Sequence, residues 1–209
     1  MLIEIGQKAK ETSYILGKMG TDLKNAGLLA AAQEILDEED EILKANAADV
    51  AKAKERGMAP GLVDRLELNH KRIEGIVEGM RQVVGLEDPV GEVISMKPRP
   101  NGLLIGQKRV PLGVVGIIYE ARPNVTADAI ALCVKSGNAC VLRGGKEAFL
   151  SNCKIAEIMA GAAQRCGMPA GAVQLIQDTT RQSAMEMMRC NGYIDVLIPR
   201  GGAGLIRSV

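Results

Sequence analysis

The first part of the chain, residues 1 to about 86, carries a helical pattern of apolar and polar positions. The stretch LLAAAQEILDEEDEILKANAADVAKAKERG is rich in Ala, Leu, Glu and Lys, which favour helices. Gly57, Pro60 and Gly61 interrupt the pattern, and LNHKRIEGIVEGMRQVVG resumes it until about Gly85. Apolar residues that roughly follow one helical face support this prediction: Leu28, Ala32, Ile35, Leu36, Leu43 and Val50.

Residues 89–110 have a different pattern, which is typical of strands. Two strand-like segments flank Pro-Arg-Pro-Asn-Gly, and Asn101-Gly102 is a strong hairpin signal. A lone hairpin needs a third strand or a partner to be stable. We therefore predict an arm that packs on another subunit or domain, and hence a homo-oligomer.

From Pro111 onward, short apolar runs alternate with helical segments. GVVGIIYE, ACVLR, AVQLIQ and IDVLIP are suited to buried strands, and a helical pattern lies between each pair. Gly137 is expected to end the first of these helices. The second is KEAFLSNCKIAEIMAGAAQRCG, for which we predict a buried stripe of Phe149, Cys153, Ala156, Ala160 and Ala163. Four strands linked by helices predict an α/β fold with an open, mostly parallel sheet.

Composition narrows the possible functions. A net charge of +1 and 2% aromatic residues argue against a nucleic-acid or membrane surface. No apolar run is long enough to span a bilayer, and the N-terminus lacks a signal-peptide core, so a cytoplasmic location is expected. Five cysteines without a CxxC pair indicate reduced thiols, and a single histidine leaves no basis for a His-based zinc site. The acidic run at residues 37–41 favours a solvated helical face over a metal site, so no metal is predicted.

Candidate chemistry lies where three of the predicted strands end. The segments YEARPNVT, RGGKEA and PRGGAG each contain Arg, and two contain paired glycines. Ligands of open α/β sheets bind at this edge, where glycines let backbone N–H groups approach a phosphate. A nucleotide is therefore the expected ligand. No standard fingerprint fits, because RGGKEA lacks the features of a P-loop and Arg207 stands where a third glycine of G-x-G-x-x-G would fall.

Two segments, PLGVVGIIYEARPNVTADAIALCVKSGNACVLRGGKEA and VLIPRGGAGLIR, closely resemble the glutamate-5-semialdehyde dehydrogenases, a family within the aldehyde dehydrogenase superfamily. The resemblance implies a Rossmann-like fold of the aldehyde dehydrogenase type. It also implies NADPH-dependent reduction of L-glutamyl 5-phosphate to L-glutamate 5-semialdehyde and phosphate, a step of proline biosynthesis. A cysteine thiolate would attack the acyl phosphate, and the resulting thioester would accept the hydride. On this basis we expect three parts: residues 1–88 as a helical part of the cofactor domain, 89–110 as the oligomerisation arm, and 111–209 as the NADP-binding core.

The resemblance also assigns cofactor residues. Arg143 replaces a superfamily lysine that contacts the adenosine ribose, and it should suit a 2′-phosphate, with Lys146 as a second cation and Gly144 in the same loop. Arg200 precedes Gly201 and Gly202, which match the pyrophosphate-binding turn at a helix N-terminus. The alternatives are a surface ion pair for Arg143 and a plain tight turn for the two glycines.

Substrate residues are assigned less directly. Asn124 lies near the superfamily asparagine that helps stabilise the oxyanion, but it is equally suited to be the N-cap of the following helix. Arg122 is a candidate for binding the acyl phosphate or the substrate carboxylate, and Glu120 could simply pair with it.

The nucleophilic cysteine of the family is expected beyond the segment that would follow Val209, in a separate catalytic domain. Cys133, Cys140, Cys153, Cys166 and Cys190 lack its sequence context and are interpreted as buried small hydrophobes. The chain is thus expected to supply the cofactor-binding part of an enzyme and to be inactive alone. Two alternatives stay open: a non-catalytic module that binds NADP or an assembly partner, and a related reductase with another substrate.

Overall fold

The computed structural model describes residues 2–209. The N-terminal helices are α1 (Leu2–Leu16), α2 (Thr21–Asp37), α3 (Glu39–Glu55), α4 (Pro60–Leu66) and α5 (His70–Gly85). A hairpin follows, formed by β1 (Val93–Pro98) and β2 (Leu104–Lys108). The remaining elements are β3 (Val114–Tyr119), α6 (Asn124–Lys135), β4 (Ala139–Arg143), a 3₁₀ turn (Lys146–Ala148), α7 (Phe149–Arg165), β5 (Val173–Leu175), α8 (Arg181–Met188), β6 (Val196–Arg200) and α9 (Ala203–Ser208).

The main sheet has four parallel strands in the order β5-β4-β3-β6. The chain proceeds outward from β3 through β4 to β5, and β6 then returns to the other side of β3. The strand order therefore reverses between β3 and β6, and their carboxyl ends open a crevice of the kind that binds ligands in such sheets. The predicted parallel α/β sheet is confirmed.

Helices cover both faces of this sheet. Side chains along β3 point alternately to opposite sides, so the strand contacts both helical layers. Val115, Ile117 and Tyr119 pack in one apolar cluster with residues of α2, α5, α6 and α7. Val114 and Ile118 pack in a second cluster with residues of α1 and α8. All six residues of β3 are buried as a result. Such a strand is a rigid support for the loop that follows it.

Two helical predictions need correction. The buried side of α7 includes Ser151, Asn152, Ile155, Ile158, Met159 and Ala162, together with the predicted Ala156 and Ala163. Phe149, Cys153 and Ala160 are only partly buried, because α7 faces α2 and α3 as well as the sheet. The segment around Pro60 is also not a simple break, since it forms helix α4 with Pro60 at its start.

Buried polar residues of α3 hold the beginning of α7 in place. The carboxylate of Asp49 accepts hydrogen bonds from Ser151 N and Oγ, each 2.8 Å, and from Leu150 N at 3.3 Å. The amide of Asn46 bonds to Ser151 Oγ at 3.1 Å and to the Leu66 carbonyl at 2.9 Å. Asp49 thereby satisfies N–H groups that the first turn of α7 leaves free. The loop after β4 is fixed on α3 through these bonds.

The hairpin stands apart from both apolar clusters. Strands β1 and β2 pair antiparallel, and the turn is closed by a bond from Arg99 N to the Leu103 carbonyl of 2.8 Å. Gly102 has φ +85°, in the left-handed region that glycine adopts without strain. Every residue of β2 is exposed, and so are the apolar side chains Val93, Ile94 and Met96 of β1. The hairpin prediction is confirmed, and what covers its apolar side chains stays a prediction.

Candidate functional site

The loops after β3, β4 and β6 meet around Glu120. A Cβ atom on Gly145 would lie 3.4 Å from the backbone of Glu120, and one on Gly201 would lie 2.7 Å from its Cδ atom. The N–H of Gly202 donates to the Glu120 carboxylate at 3.2 and 3.3 Å. The three Arg-bearing loops therefore lie together at one edge of the sheet, as the sequence predicts.

A cavity of about 390 Å³ opens at this edge, between the ends of β3 and β6. We call it the crevice cavity. Three arginines line it, and Glu120 is the single acidic residue in its lining among residues 2–209. The net positive charge of the lining therefore favours an anionic ligand. None of these three arginine side chains makes a hydrogen bond or an ion pair within residues 2–209. The lining residues that matter below are Arg65, Glu120, Arg122, Arg200, Gly201 and Gly202.

The structure changes the interpretation of Glu120 and Asn124. Glu120 contacts Gly202 and makes no ion pair with Arg122. Asn124 is the first residue of α6, after Pro123 at the cap position, and no side chain caps this helix. The N-cap interpretation of Asn124 is therefore wrong. Its amide donates instead to Asp128 Oδ2 at 3.3 Å, on the next turn of α6.

Asp128 connects the start of α6 electrostatically with the end of β6. Burial raises the pKa of the Asp128 carboxyl group, while the charge of Arg200 and the hydrogen bond from Asn124 lower it. The net direction is upward, so burial is the stronger influence. Arg200 thus faces both the crevice cavity and a partly buried carboxylate.

Arg143 ends β4 and is partly buried. Its Nη2 atom donates to the carbonyl oxygens of Thr179, at 2.6 Å, and Thr180, at 2.8 Å. Its Nε atom is buried without a hydrogen-bond partner. Burial lowers the pKa of the guanidinium, while the nearby carboxylates of Asp178 and Glu147 raise it. The alternative of a surface ion pair is wrong, because Arg143 instead ties the loop after β4 to the segment that precedes α8.

A second cavity, of about 490 Å³, lies beside the loop after β4, and we call it the α3 cavity. Lys146 lines it, together with Lys52 of α3 and Arg56, the C-cap residue of that helix. The acidic residues at its wall are Asp49 and Glu147. Ala53, Met58, Phe149 and Leu150 supply apolar surface. The loop assigned to the cofactor thus faces a basic stretch of helix α3.

Gly144 lies against a buried polar chain behind the sheet edge. Tyr119 Oη and Thr126 Oγ1 are 2.7 Å apart, and Thr126 Oγ1 donates to Asn152 Oδ1 at 3.0 Å. Burial raises the pKa of the Tyr119 hydroxyl above its usual range. A side chain on Gly144 would collide with the Asn152 amide and come within 3.2 Å of the Tyr119 ring. Gly144 is thus required for close packing of this loop on α7.

The five cysteines have no mutual disulfides. Cys133 and Cys140 are buried, as expected, whereas Cys153, Cys166 and Cys190 are partly exposed. A hydrogen bond with Cys133, together with burial, raises the pKa of the Cys140 thiol. Burial also raises the pKa values of Cys153 and Cys190. A raised pKa keeps a thiol protonated, so none of these three is prepared as a nucleophile.

Sequence reasoning missed the helices that face the loops. Arg65 reaches the crevice cavity from α4, and Lys52 and Arg56 reach the α3 cavity from α3 and its C-cap. The sequence held a signal for α4, because Pro60 is of the residue type favoured at the first position of a helix. For Lys52 and Arg56 there was none, since basic residues on a helix usually face solvent.

Two absences apply to residues 2–209. No group of three or more His, Cys, Asp and Glu side chains there is arranged to hold a metal ion. None of the helices in that range has the length and apolar character needed to cross a membrane.

Comparisons with known proteins agree on one family. A profile described as the aldehyde dehydrogenase family matches residues 3–199. Gamma-glutamyl phosphate reductase of Clostridium perfringens is 55% identical over 208 residues, which are 100% of this chain and 50% of that protein. The enzyme of the same name from Moorella thermoacetica is 55% identical over 98% of this chain and 49% of its own length. The chain therefore spans about half the length of the curated relatives it matches.

A solved structure gives the same result for the fold. The crystal structure of gamma-glutamyl phosphate reductase from Thermotoga maritima superposes with a TM-score of 0.97 at 43% identity. The match covers 99% of this chain and 50% of that one.

Proposed function

This chain belongs to the aldehyde dehydrogenase family, and from that premise we propose that it forms the cofactor-binding part of an NADPH-dependent reductase of L-glutamyl 5-phosphate. The substrate follows the relatives named gamma-glutamyl phosphate reductase, whose identity to this chain is 55%. The observation that carries the proposal is the convergence of three Arg-bearing loops around Glu120, at the edge where the strand order reverses.

Enzymes of this family use a nicotinamide dinucleotide, which would supply the hydride here. The loops fit a dinucleotide in one respect, because Gly145 and Gly201 leave no side chains between the strand ends. They also show where a rearrangement is needed. The carboxylate of Glu120 now accepts from Gly202 N–H, so a pyrophosphate using that N–H must displace it. Arg200, beside the same turn, would compensate the charge of the incoming anion.

Preference for NADP over NAD is assigned to the loop after β4. Arg143 and Lys146 are the cations of this loop, and Gly144 lets it pack closely on α7. Arg143→Ala is expected to weaken NADPH binding more than NADH binding. Arg81→Ala, an exposed arginine on α5, is the control and should change neither. Equal losses for both cofactors with Arg143→Ala would remove this residue from the 2′-phosphate role.

The acyl phosphate and carboxylate of the substrate are assigned to the arginines of the crevice cavity. Arg122 lies on the loop after β3 with its guanidinium unpaired within residues 2–209, and Arg65 faces it from α4. Each can form a planar, charge-assisted pair of hydrogen bonds with a phosphate or carboxylate. Asn124 remains the proposed oxyanion donor, although its amide would first have to leave Asp128.

The three-part organisation is also proposed. Residues 1–88 cover the cofactor core of residues 111–209, and residues 89–110 act as an arm that pairs with a second copy. The support for the arm is its exposed apolar strands, which contact neither apolar cluster. A cytoplasmic location is proposed with the biosynthetic role.

The proposal is tested with the enzyme that contains this chain. NADP reduction should require both L-glutamate 5-semialdehyde and inorganic phosphate, because the reverse reaction consumes both. Arg122→Gln should raise the KM for phosphate or semialdehyde while leaving the Kd for NADPH unchanged. Reduction that proceeds equally well without phosphate would assign the protein to another aldehyde substrate of the family. If this chain alone fails to bind NADPH in calorimetry, its role as the cofactor-binding part is refuted.

A further inference from the structure

The α3 cavity contains basic residues that the proposed cofactor site does not yet use. We infer that Lys52 of α3 and Arg56, which caps this helix, contribute to the cofactor preference by binding the 2′-phosphate of the nucleotide. The inference rests on the proposed function and assigns a specificity role to a helix outside the strand-end loops.

The need for further cations follows from the contacts of Arg143. One of its terminal nitrogens already donates to two backbone carbonyls, of Thr179 and Thr180, and its Nε atom is buried. A guanidinium engaged in this way has fewer N–H groups left for a phosphate. A 2′-phosphate carries close to two negative charges at neutral pH and accepts several hydrogen bonds. Arg143 alone is therefore a poor match for such a group.

Three further cations are placed to supply the N–H donors that Arg143 lacks. They are Lys146, Lys52 and Arg56. All three line the α3 cavity, and their side chains make no hydrogen bond or ion pair with residues 2–209. Lys146 belongs to the same loop as Arg143, so this cavity adjoins the position assigned to the adenosine ribose. The cations thus surround a space open to a phosphate on that ribose.

The two carboxylates at the cavity wall do not cancel this charge equally. Asp49 already accepts from Leu150 N, Ser151 N and Ser151 Oγ, and these bonds direct it toward the start of α7. Glu147 lies close to Gly145 and acts on the charge of Arg143. The positive charge of the cavity is consequently neutralised less by these two carboxylates than a count of charges suggests.

Helix geometry presents Lys52 and Arg56 together. Lys52 follows Asp49 by three positions on one face of α3, and Arg56 caps the end of the helix, where its N–H donates to the Lys52 carbonyl. Asp49 fixes this face against the start of α7, and Ala53 on the same side is buried. The two basic side chains are therefore held beside the loop after β4, whereas Lys54 lines a different surface with His70 and Glu67.

The test compares two nucleotides that differ only by the 2′-phosphate. Calorimetry on this chain would measure the Kd of 2′,5′-ADP and of 5′-AMP. The double variant Lys52→Gln/Arg56→Gln should weaken 2′,5′-ADP about tenfold, since two exposed charge-assisted contacts are lost, and change 5′-AMP less than about twofold. Lys54→Gln, on the same helix, is the matched control and should change neither. Circular dichroism should show unchanged folding, because both substituted side chains are exposed.

The outcomes separate this inference from the proposed function. If the double variant weakens both nucleotides equally, or neither, Lys52 and Arg56 do not bind the 2′-phosphate. If the double variant no longer binds inorganic phosphate but still binds 2′,5′-ADP with the same Kd, the cavity is a site for free phosphate. The inference is then likewise overturned. If the unmodified chain binds neither nucleotide, the proposed function itself fails.

Discussion

Strands β3 and β2 are similar in length but opposite in surroundings. All six residues of β3 are buried between two helical layers, whereas all five residues of β2 are exposed. Burial of apolar area stabilises the fold, so β3 holds the strand ends rigidly where the loops must meet. The apolar side chains of the hairpin contribute little within one copy, and they are available for a contact outside it. The difference supports the two proposals that the sheet region forms the site and that the hairpin is an assembly surface.

The largest expected effect comes from truncating one leucine in each region. Leu142 in β4 is fully buried and Leu104 in β2 is 63% exposed. Leu142→Ala should lower the free energy of unfolding by about 2–5 kcal/mol, because it removes apolar contacts and leaves a cavity. Leu104→Ala should lower it by less than about 0.5 kcal/mol. Urea unfolding measures both.

The same pair of variants sharpens the assembly proposal. If the unfolding free energy lost through Leu104→Ala grows with protein concentration, a second copy covers the hairpin. A loss equal to that of Leu142→Ala at every concentration would contradict the comparison.

A second pair compares carboxylates in the two regions. Asp195, before β6, accepts from Val114 N at 2.8 Å and pairs with Lys10 of α1 at 2.6 Å. Glu92, at the hairpin, pairs with Arg109 at 3.0 Å with both side chains about half exposed. Asp195→Ala should cost about 1–3 kcal/mol by leaving a backbone donor unpaired. Glu92→Ala should cost less than about 0.5 kcal/mol.

The pH dependence of the Asp195 contribution has a definite sign. Burial tends to raise the pKa of this carboxyl group, but the bonds from Lys10 and Val114 outweigh it, so the folded pKa lies below 3.8. A depressed folded pKa means that the stabilisation is complete above the unfolded pKa and is lost as pH falls through the folded value. The difference between the unmodified chain and Asp195→Ala should therefore shrink in acid. A difference that stays constant down to that range would contradict the assigned partners.

Periodicity in the sequence predicted the sheet because its signals are local. The runs GVVGIIYE and ACVLR became β3 and β4, and Gly137 adopts the positive φ expected at a helix end. Paired glycines after strands likewise located two of the loops that meet at Glu120. These features depend on neighbouring residues and the parallel topology alone.

Contacts between distant segments were not predictable in this way. Nothing local indicates that Asp49 caps a helix beginning 100 residues later, or that Arg143 bonds to the Thr179 carbonyl. The buried side of α7 was misjudged for the same reason, since α2 and α3 select the residues it buries. Tertiary packing decides these features, and a single sequence does not display it.

A smaller effect is expected from two glycines with similar backbone angles. Gly137, after α6, has φ +73°, and a Cβ there would lie 3.0 Å from Pro111 and 3.2 Å from Val90. Gly102, in the hairpin turn, has φ +85° and no atom within 4 Å of such a Cβ. Gly102→Ala should cost about 1 kcal/mol through backbone strain, confined to amide exchange in the hairpin. Gly137→Ala should cost more and affect global exchange. Equal, global effects of both variants would show that the hairpin unfolds together with the sheet.

The smallest expected effect concerns His70, at the surface between α5 and α3, and it tests whether exposed contacts in the helical layer behave like those of the hairpin. Its Nδ1 atom lies 2.9 Å from the Glu39 carboxylate, and its Nε2 atom lies 3.3 Å from Glu74. The hydrogen bond with Glu39, followed by the charges of Glu39 and Glu74, raises the pKa of His70 above 6.5. A raised folded pKa makes the stabilisation complete below 6.5 and removes it as pH rises through the folded value.

Since His70 is the single histidine of the chain, one imidazole resonance in NMR reports this pKa directly. Glu39→Gln should return it toward 6.5, and a value at or below 6.5 in the unmodified chain would show that the α3–α5 contact is absent in solution.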